Sequence, residues 1–210
     1  MKKSKKEDKG LSRSQRRRRE DILRAAIKLF DRDGFDAAKI SDIAEEAEIA
    51  KGTLYLYFET KIQLLEGVVE DIILPTVEAV GAAVDESQPK TAEEMLKKQI
   101  MITGKRMASP EMKTLLKLMI ETVNKDPKIS QIYYKKIVKK GLSLFKKTLD
   151  LGVKNGEFRS EASKINSLVI VGSNVYLAVW NNLFAGLSPK ESEKLINTQI
   201  DIILQGLRRS

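Results

Sequence analysis

The side chains best suited to chemistry in this chain lie within residues 51–61, KGTLYLYFETK: Lys51, Gly52, Thr53, Tyr55, Leu56, Tyr57 and Lys61. If the run is helical, Leu54 and Phe58 stand one turn apart and point inward. Gly52, Thr53 and Leu56 then fall on the opposite side, with Tyr55 and Tyr57 on the flanks. A glycine there lets backbone approach a phosphate or a base edge, Thr53 brings a short hydroxyl, and the tyrosines with Lys51 and Lys61 reach phosphate oxygens. This is the chemistry of contact with nucleic acid. Catalysis needs other groups, and the chain has no His and no Cys. Structural zinc, iron–sulfur clusters, thiol chemistry and His-based triads are thereby excluded, while a metal site built only of carboxylates stays open. The adjacent carboxylates Glu45 and Glu46 sit on an ordinary charged helix face with no supporting constellation, so no cofactor and no enzyme activity are expected.

Upstream, Ile40, Ile43, Ala44 and Ala47 form one apolar face and Ile49 falls in a turn. The segment therefore reads as two short helices joined tightly and followed by a long third one, the layout of a DNA-binding helix-turn-helix. A helix from about Ser14 to Asp33, burying Ile22, Ala26, Leu29 and Phe30 and ending at Gly34, precedes it. After it, Thr60 with Gln63 opens a helix whose apolar pattern continues to about Val84, with Pro75 as a bend point. Further starts are written as Thr91 with Glu94, Ser109-Pro110, Asp126-Pro127, and Ser188-Pro189 with Glu191. Apart from LYLYF, no run alternates as a strand would, and no Gly-rich phosphate loop, repeat or long low-complexity segment is present. The expected fold is all-α with about nine helices: a disordered basic tail over residues 1–13, a three-helix DNA-binding domain over 14–60, and a larger helical bundle over 61–210.

The net charge of +9 is unevenly spread, since residues 1–19 hold ten Lys and Arg against Glu7 and Asp8. Arg16 to Arg19 begin the first helix, where Arg17 and Arg18 reach neighbouring phosphates or the minor groove. A solvated, solubilising tail is the plainer reading of the same residues. The basic start leads into no apolar run, so neither a signal peptide nor a membrane anchor is expected there. A reducing cytoplasm fits the absence of Cys, and association with the nucleoid is expected of a chain that binds DNA.

Three pieces in order carry a family resemblance: ILRAAIKLFDRDGFDA at 22–37, DIAEEA at 42–47, and KGTLYLYF at 51–58 with Lys61 just beyond. The stretch 18–65 resembles the amino-terminal domain of the TetR family of bacterial transcriptional regulators. DLGVKNGEFR at 150–159 is similar to a segment often preceding the last two helices of that family. Three positions depart from the pattern: Glu48 stands where the turn usually has Gly, Ala50 where the recognition helix usually has a Ser cap, and Lys39 where the preceding helix usually has Thr. A left-handed Glu48 costs roughly 1 kcal/mol relative to Gly, and each missing cap about 1 kcal/mol. Lys39 offers charge in place of the hydroxyl, and Ser41 joins Lys51 and Thr53 among groups that reach DNA.

Residues 165–189 carry no charge, which raises a transmembrane helix as a rival reading. Asn166, Asn174, Asn181 and Asn182 argue against it, because each is expensive in lipid unless paired. A helix that is apolar all round in a soluble protein is buried on all sides. One face, around Ile170, Asn174, Leu177 and Asn181, covers the chain's own core. The other, at Leu168, Gly172, Val175, Val179 and Leu183, meets a partner together with Ile196, Ile200 and Ile203 of the last helix. The resemblance implies the same arrangement, since TetR-like regulators dimerise through their last two helices, and it implies a repressor released from a palindromic duplex operator by a small, largely apolar effector. Candidate effector contacts are Met101, Met119, Tyr133, Phe145, Asn174, Tyr176 and Asn181, although core packing is the plainer reading of each. Two rivals remain: an enzyme on a helical scaffold, and a nucleoid or adaptor protein that binds DNA without an effector.

Overall fold

The structure, a computed structural model, describes residues 11–84, 91–123, 131, 133–184 and 186–209, with backbone alone at 136, 137, 182 and 183. Among the described residues there are nine α-helices: α1 Arg13–Ala37, α2 Ile40–Glu46, α3 Lys51–Tyr57, α4 Lys61–Ala82, α5 Ala92–Met107, α6 Pro110–Val123, α7 Lys139–Lys154, α8 Ser167–Leu183 and α9 Pro189–Leu207. A π-helical turn at Tyr134–Val138 leads into α7, and a 3-10 turn at Ser160–Lys164 precedes α8. The all-α class is as expected, and LYLYF is helical through Tyr57, with Phe58 the extended cap at its end. The one β feature among the described residues is a single antiparallel bridge, Phe158 to Arg208.

Helix starts follow the polar signals. Ser12 with Gln15, Thr91 with Glu94 and Ser188 with Glu191 each form a reciprocal capping box, satisfying backbone N–H groups that a helix leaves without partners. At α4 the reciprocity is displaced: Thr60 Oγ1 accepts from Gln63 N at 3.1 Å, and Gln63 Oε1 accepts from Glu59 N at 2.7 Å. Because Ser12 is the cap, α1 begins at Arg13, inside the stretch expected to be a disordered tail. The rest of that tail and the Asp126-Pro127 start lie outside the described residues. Pro75 lies within α4, where it offers no N–H to the carbonyl one turn back.

The chain forms two compact units: residues 1–72 with 117–136, and residues 73–116 with 137–210. This differs from a division at residue 60, because the first half of α4 packs with the preceding helices. The first unit buries Ile22, Leu23, Leu29 and Phe30 of α1, Ile43 and Ala44 of α2, Leu54, Phe58, and Leu64, Leu65 and Val68 of α4. Gly67 of α4 is required by a close approach, since a Cβ there would lie 2.8 Å from the Phe58 ring and 3.0 Å from Leu23.

In the second unit α5 is central and packs against α7, α8 and α9. Its core includes Leu96, Ile100, Phe145, Leu149, Ile170, Leu177, Ile196, Ile200 and Leu204. The 150–159 run closes one end of this core. Gly156 takes φ 76°, turning the chain so that the Phe158 ring lies over Gly152, where any side chain would overlap it. Glu157 then accepts from Ala92 N at 3.0 Å and Glu93 N at 3.2 Å, capping α5 from another element. Arg208 forks onto Glu93 at 2.8 and 3.0 Å, and Lys97 joins at 2.9 Å.

Hydrogen bonds from Arg208 and Lys97 hold the Glu93 carboxyl down at about 2 against an ordinary 4.5. A depressed folded value means the stabilisation is complete above the unfolded value and disappears as pH falls through the folded one. Glu93→Gln should therefore melt below the wild type at pH 6. The gap should narrow between about pH 4.5 and 2 and shrink in high salt, because the pair is partly exposed. Parallel thermal melts across pH check this, and a gap that widens towards pH 2 would contradict it.

Candidate nucleic-acid interface

α2 and α3 are each only seven residues long, too short to persist alone, so packing must hold them. Leu54 is fully buried and Phe58 is 4% exposed, the inward pair expected from their spacing. The Arg19 guanidinium lies 5.4 Å from the Phe58 ring centroid, a cation–π contact not anticipated from sequence. Between the helices Glu48 has φ 54°, so the glycine-like conformation is kept without the glycine. Glu48 N donates to Glu45 O and Ile49 N to Ala44 O, both at 2.9 Å, closing the turn. Neither Lys39 nor Ala50 makes a side-chain cap.

The outer side of α3 is open. Leu56 is 84% exposed, Tyr55, Lys51 and Gly52 are exposed, and the Cβ direction of Gly52 meets nothing within 4 Å. Thr53 and Tyr57 are half-buried on the flanks. Lys39 and Ser41 are exposed at the start of α2, where the Ser41 hydroxyl donates to Asp42 at 2.8 Å. Arg17 and Arg18 are exposed on the first turns of α1, and Arg18 lines an open groove with Asp21, Arg24, Lys28, Glu46 and Glu48, where charges of both signs mix. Lys61 differs from the rest. Its Nζ donates to Asp36 O at 3.0 Å and stands 4.8 Å from the Phe35 ring, and burial pushes its pKa below the ordinary lysine value. The geometry is that of a short, rigidly backed helix offering a small, weakly polar ridge flanked by cations.

The family model for bacterial regulatory proteins of the tetR family matches residues 22–68, and that for the QacR-like carboxy-terminal region matches residues 84–209. The chain belongs to the TetR family. It is 28% identical over 194 residues to the HTH-type transcriptional regulator YerO of Bacillus subtilis, a match spanning 92% of this chain and 66% of YerO. With the repressor KstR of Mycolicibacterium smegmatis it shares 43% identity over 54 residues, 26% of each protein. The chain thus spans less than two thirds of the length of these relatives. Its fold is that of the transcriptional regulator FadR of Bacillus subtilis, solved with stearoyl-CoA, at a TM-score of 0.71 and 20% identity over 89% of this chain and 98% of that one.

The effector residues expected for this TetR chain are divided between the two units. Met119 and Tyr133 belong to the first unit, and Met101, Phe145, Asn174, Tyr176 and Asn181 to the second. Phe145 is core, and Met101 packs against that core. Asn181 Oδ1 accepts from Leu187 N at 3.0 Å, tying down the connection to α9. Tyr176 is 61% exposed and leads an aromatic row, its ring 6.0 Å from Trp180, which is 4.6 Å from Phe184. Asn174 is buried, donates to Ile100 O at 3.1 Å and leaves its Oδ1 without a hydrogen-bond partner. Tyr133 is largely enclosed, which pushes its phenol pKa up.

Of the expected dimer residues, Leu168 and Val175 are exposed and Gly172 and Val179 half-buried, while the Leu183 side chain lies outside the described residues. Ile196 and Ile200 need correction. They are buried in the unit's own core, Ile203 packs against it, and the free apolar positions of α9 are Leu195 and Ile202. Apolar residues cover more than one face of α9, so periodicity alone leaves its phase open. Sequence reading also missed Lys117 and Glu121 of α6, which bind the end of α1. Among the described residues no helix is long and apolar enough to cross a membrane.

Two substitutions follow from the turn. Ala50→Ser supplies the vacant cap of α3 and should add about 1 kcal/mol to stability. Glu48→Gly should relieve up to about 1 kcal/mol of backbone strain. Denaturant midpoints measure both, and a destabilised Ala50→Ser protein would show that the α3 start differs from the one described.

Proposed function

We propose that this TetR-family chain is a homodimeric repressor that reads a two-fold DNA operator with α3 and leaves it when a small apolar molecule binds its helical second unit. The observation that carries the reading is the outer side of α3. An 84%-exposed leucine beside an open glycine and exposed Lys51 and Tyr55 has no use inside the monomer, yet it sits on a helix fixed from behind by Leu54 and Phe58. Leu56 and Gly52 bring no hydrogen-bonding side chain, so base contacts fall to Thr53, Lys51 and Ser41 and the rest of the readout is through DNA shape.

A single two-turn helix reads too few base pairs for strong discrimination, whereas a two-fold dimer reads two half-sites about 34 Å apart. Supporting a dimer, exposed apolar side chains gather on the last two helices: Leu168, Val169, Val175 and Tyr176 on α8, Leu195 and Ile202 on α9. An effector acts by preferring one spacing of the two reading heads, and α4, with Pro75 inside it, belongs partly to each unit. The neighbour FadR was solved with stearoyl-CoA, so an acyl thioester of coenzyme A is the first effector to try.

Selection of bound sequences from random duplex by the purified protein tests the reading. The expected result is a palindromic consensus; recovery of unrelated sequences would favour an architectural DNA-binding protein instead. On the selected operator, Lys51→Ala should weaken binding to all sequences alike and lower the salt slope by about one, while Thr53→Ala should change the preferred base at one position in each half-site.

A further inference from the structure

α1 loses helical geometry at Gly34, which has φ 79° and ψ 167°. A helix that stops there leaves its last carbonyls without donors and the next N–H without an acceptor. Three charged side chains from two other helices meet that need. Lys117 Nζ of α6 donates to Asp31 O at 2.6 Å, and Lys61 Nζ of α4 donates to Asp36 O at 3.0 Å. Phe35 N donates to Glu121 Oε2 of α6 at 3.2 Å. Cations on carbonyls suit the C-terminal end of a helix, and the Glu121 carboxylate supplies an acceptor for the first N–H beyond the break. Lys117 and Glu121 are four residues apart, hence on one face of α6. The positive φ of Gly34 favours glycine, and a Cβ there would lie 3.2 Å from the same carboxylate, which would have to shift slightly.

We propose that Lys117 and Glu121, with Lys61, are positioning residues for DNA reading: they fasten the broken end of α1 and through it set how α3 is presented. The inference rests on the DNA-binding reading above; Lys117 and Glu121 are assigned no contact with DNA, and Lys61, expected from the sequence to reach a phosphate, donates here to the Asp36 carbonyl. All three grip main-chain atoms, so they specify the path of the chain. Only Ala37, Ala38 and Lys39 separate Asp36 from α2. An error in that path is carried into α2 and on into α3, whose inner residues are packed too closely to absorb it. Phe35 is trapped in the same place, tilted 5.5 Å from Phe30 and under the Lys61 ammonium at 4.8 Å.

The test uses the full chain with Glu121→Ala, Glu121→Gln, Lys117→Met and Lys61→Met. Operator affinity is measured over a salt series, and amide exchange is followed in residues 35–38 and 51–57. Glu121→Ala, Lys117→Met and Lys61→Met should each weaken operator binding about tenfold, with the wild-type salt slope, because no phosphate contact is lost. Glu121→Gln keeps an acceptor oxygen and should bind within about twofold of wild type. Exchange should quicken in both segments for Glu121→Ala, and Lys117→Met carries the test if that protein does not fold. The proposal is overturned if Glu121→Ala and Lys117→Met bind as wild type, if the lysine variants lower the salt slope by about one, or if exchange quickens at 35–38 alone. Failure of the wild type to prefer any sequence would instead count against the DNA-binding reading, and the exchange result would still decide the positioning role.

Discussion

A helix of two turns has to be held from behind, and burial of Leu54 and Phe58 is what holds α3. Seven residues gain too few internal hydrogen bonds to offset nucleation, so α3 exists only because its inner side is removed from water. Phe58 gathers the neighbours that make this possible: Gly67 of α4, whose missing side chain admits the ring, Leu23 of α1 at the same spot, and the Arg19 guanidinium over its face. The outer side of α3 is then free of any structural duty. That freedom is why small or apolar groups such as Gly52 and Leu56 are tolerated there.

The head was largely legible in the sequence because its determinants are local. Inward spacing, a positive-φ turn and capping residues act within a few positions of one another, so they survive reading in one dimension. Glu48 shows the limit: the turn geometry was anticipated from the expected place of glycine, and the chain adopts it with another residue. Other features were hidden because they depend on what a helix packs against. In α9, Leu195, Ile196, Ile200, Ile202 and Ile203 cover more than one face, and only α5 and α8 decide that Ile196 and Ile200 turn inward. Gly104 records that decision, since a Cβ there would lie 2.7 Å from Ile196. Lys117 and Glu121 look like any charged pair on an amphipathic helix until the broken end of α1 is placed beside them.

The second unit is stabilised where its ends meet. Glu157 caps α5 from a turn between α7 and α8, and Arg208 binds Glu93 from beyond α9, so the start of one helix is completed by residues 64 and 115 positions away. The 150–159 motif is thus a structural closure, with Gly152 and Gly156 present for the Phe158 ring and for the turn that places it.

Among the described residues, α4 and α6 are α-helices divided between the compact units, at Ile72 and Ile73 in one and at Leu116 and Lys117 in the other. A ligand shifts an equilibrium only by its differential affinity for two states, and that difference has to be expressed as contacts made in one state and lost in the other. Apolar packing in the head is a poor place for such a change, because it is continuous and dense. Hydrogen bonds from charged side chains to a few main-chain atoms are better suited, since each is either made or broken over a small displacement. The end of α1 is where both helices make bonds of this kind, Lys61 from α4 and Lys117 and Glu121 from α6. On the proposed function, the break at Gly34 is therefore the discrete part of the first unit, and α3 follows it as a packed body.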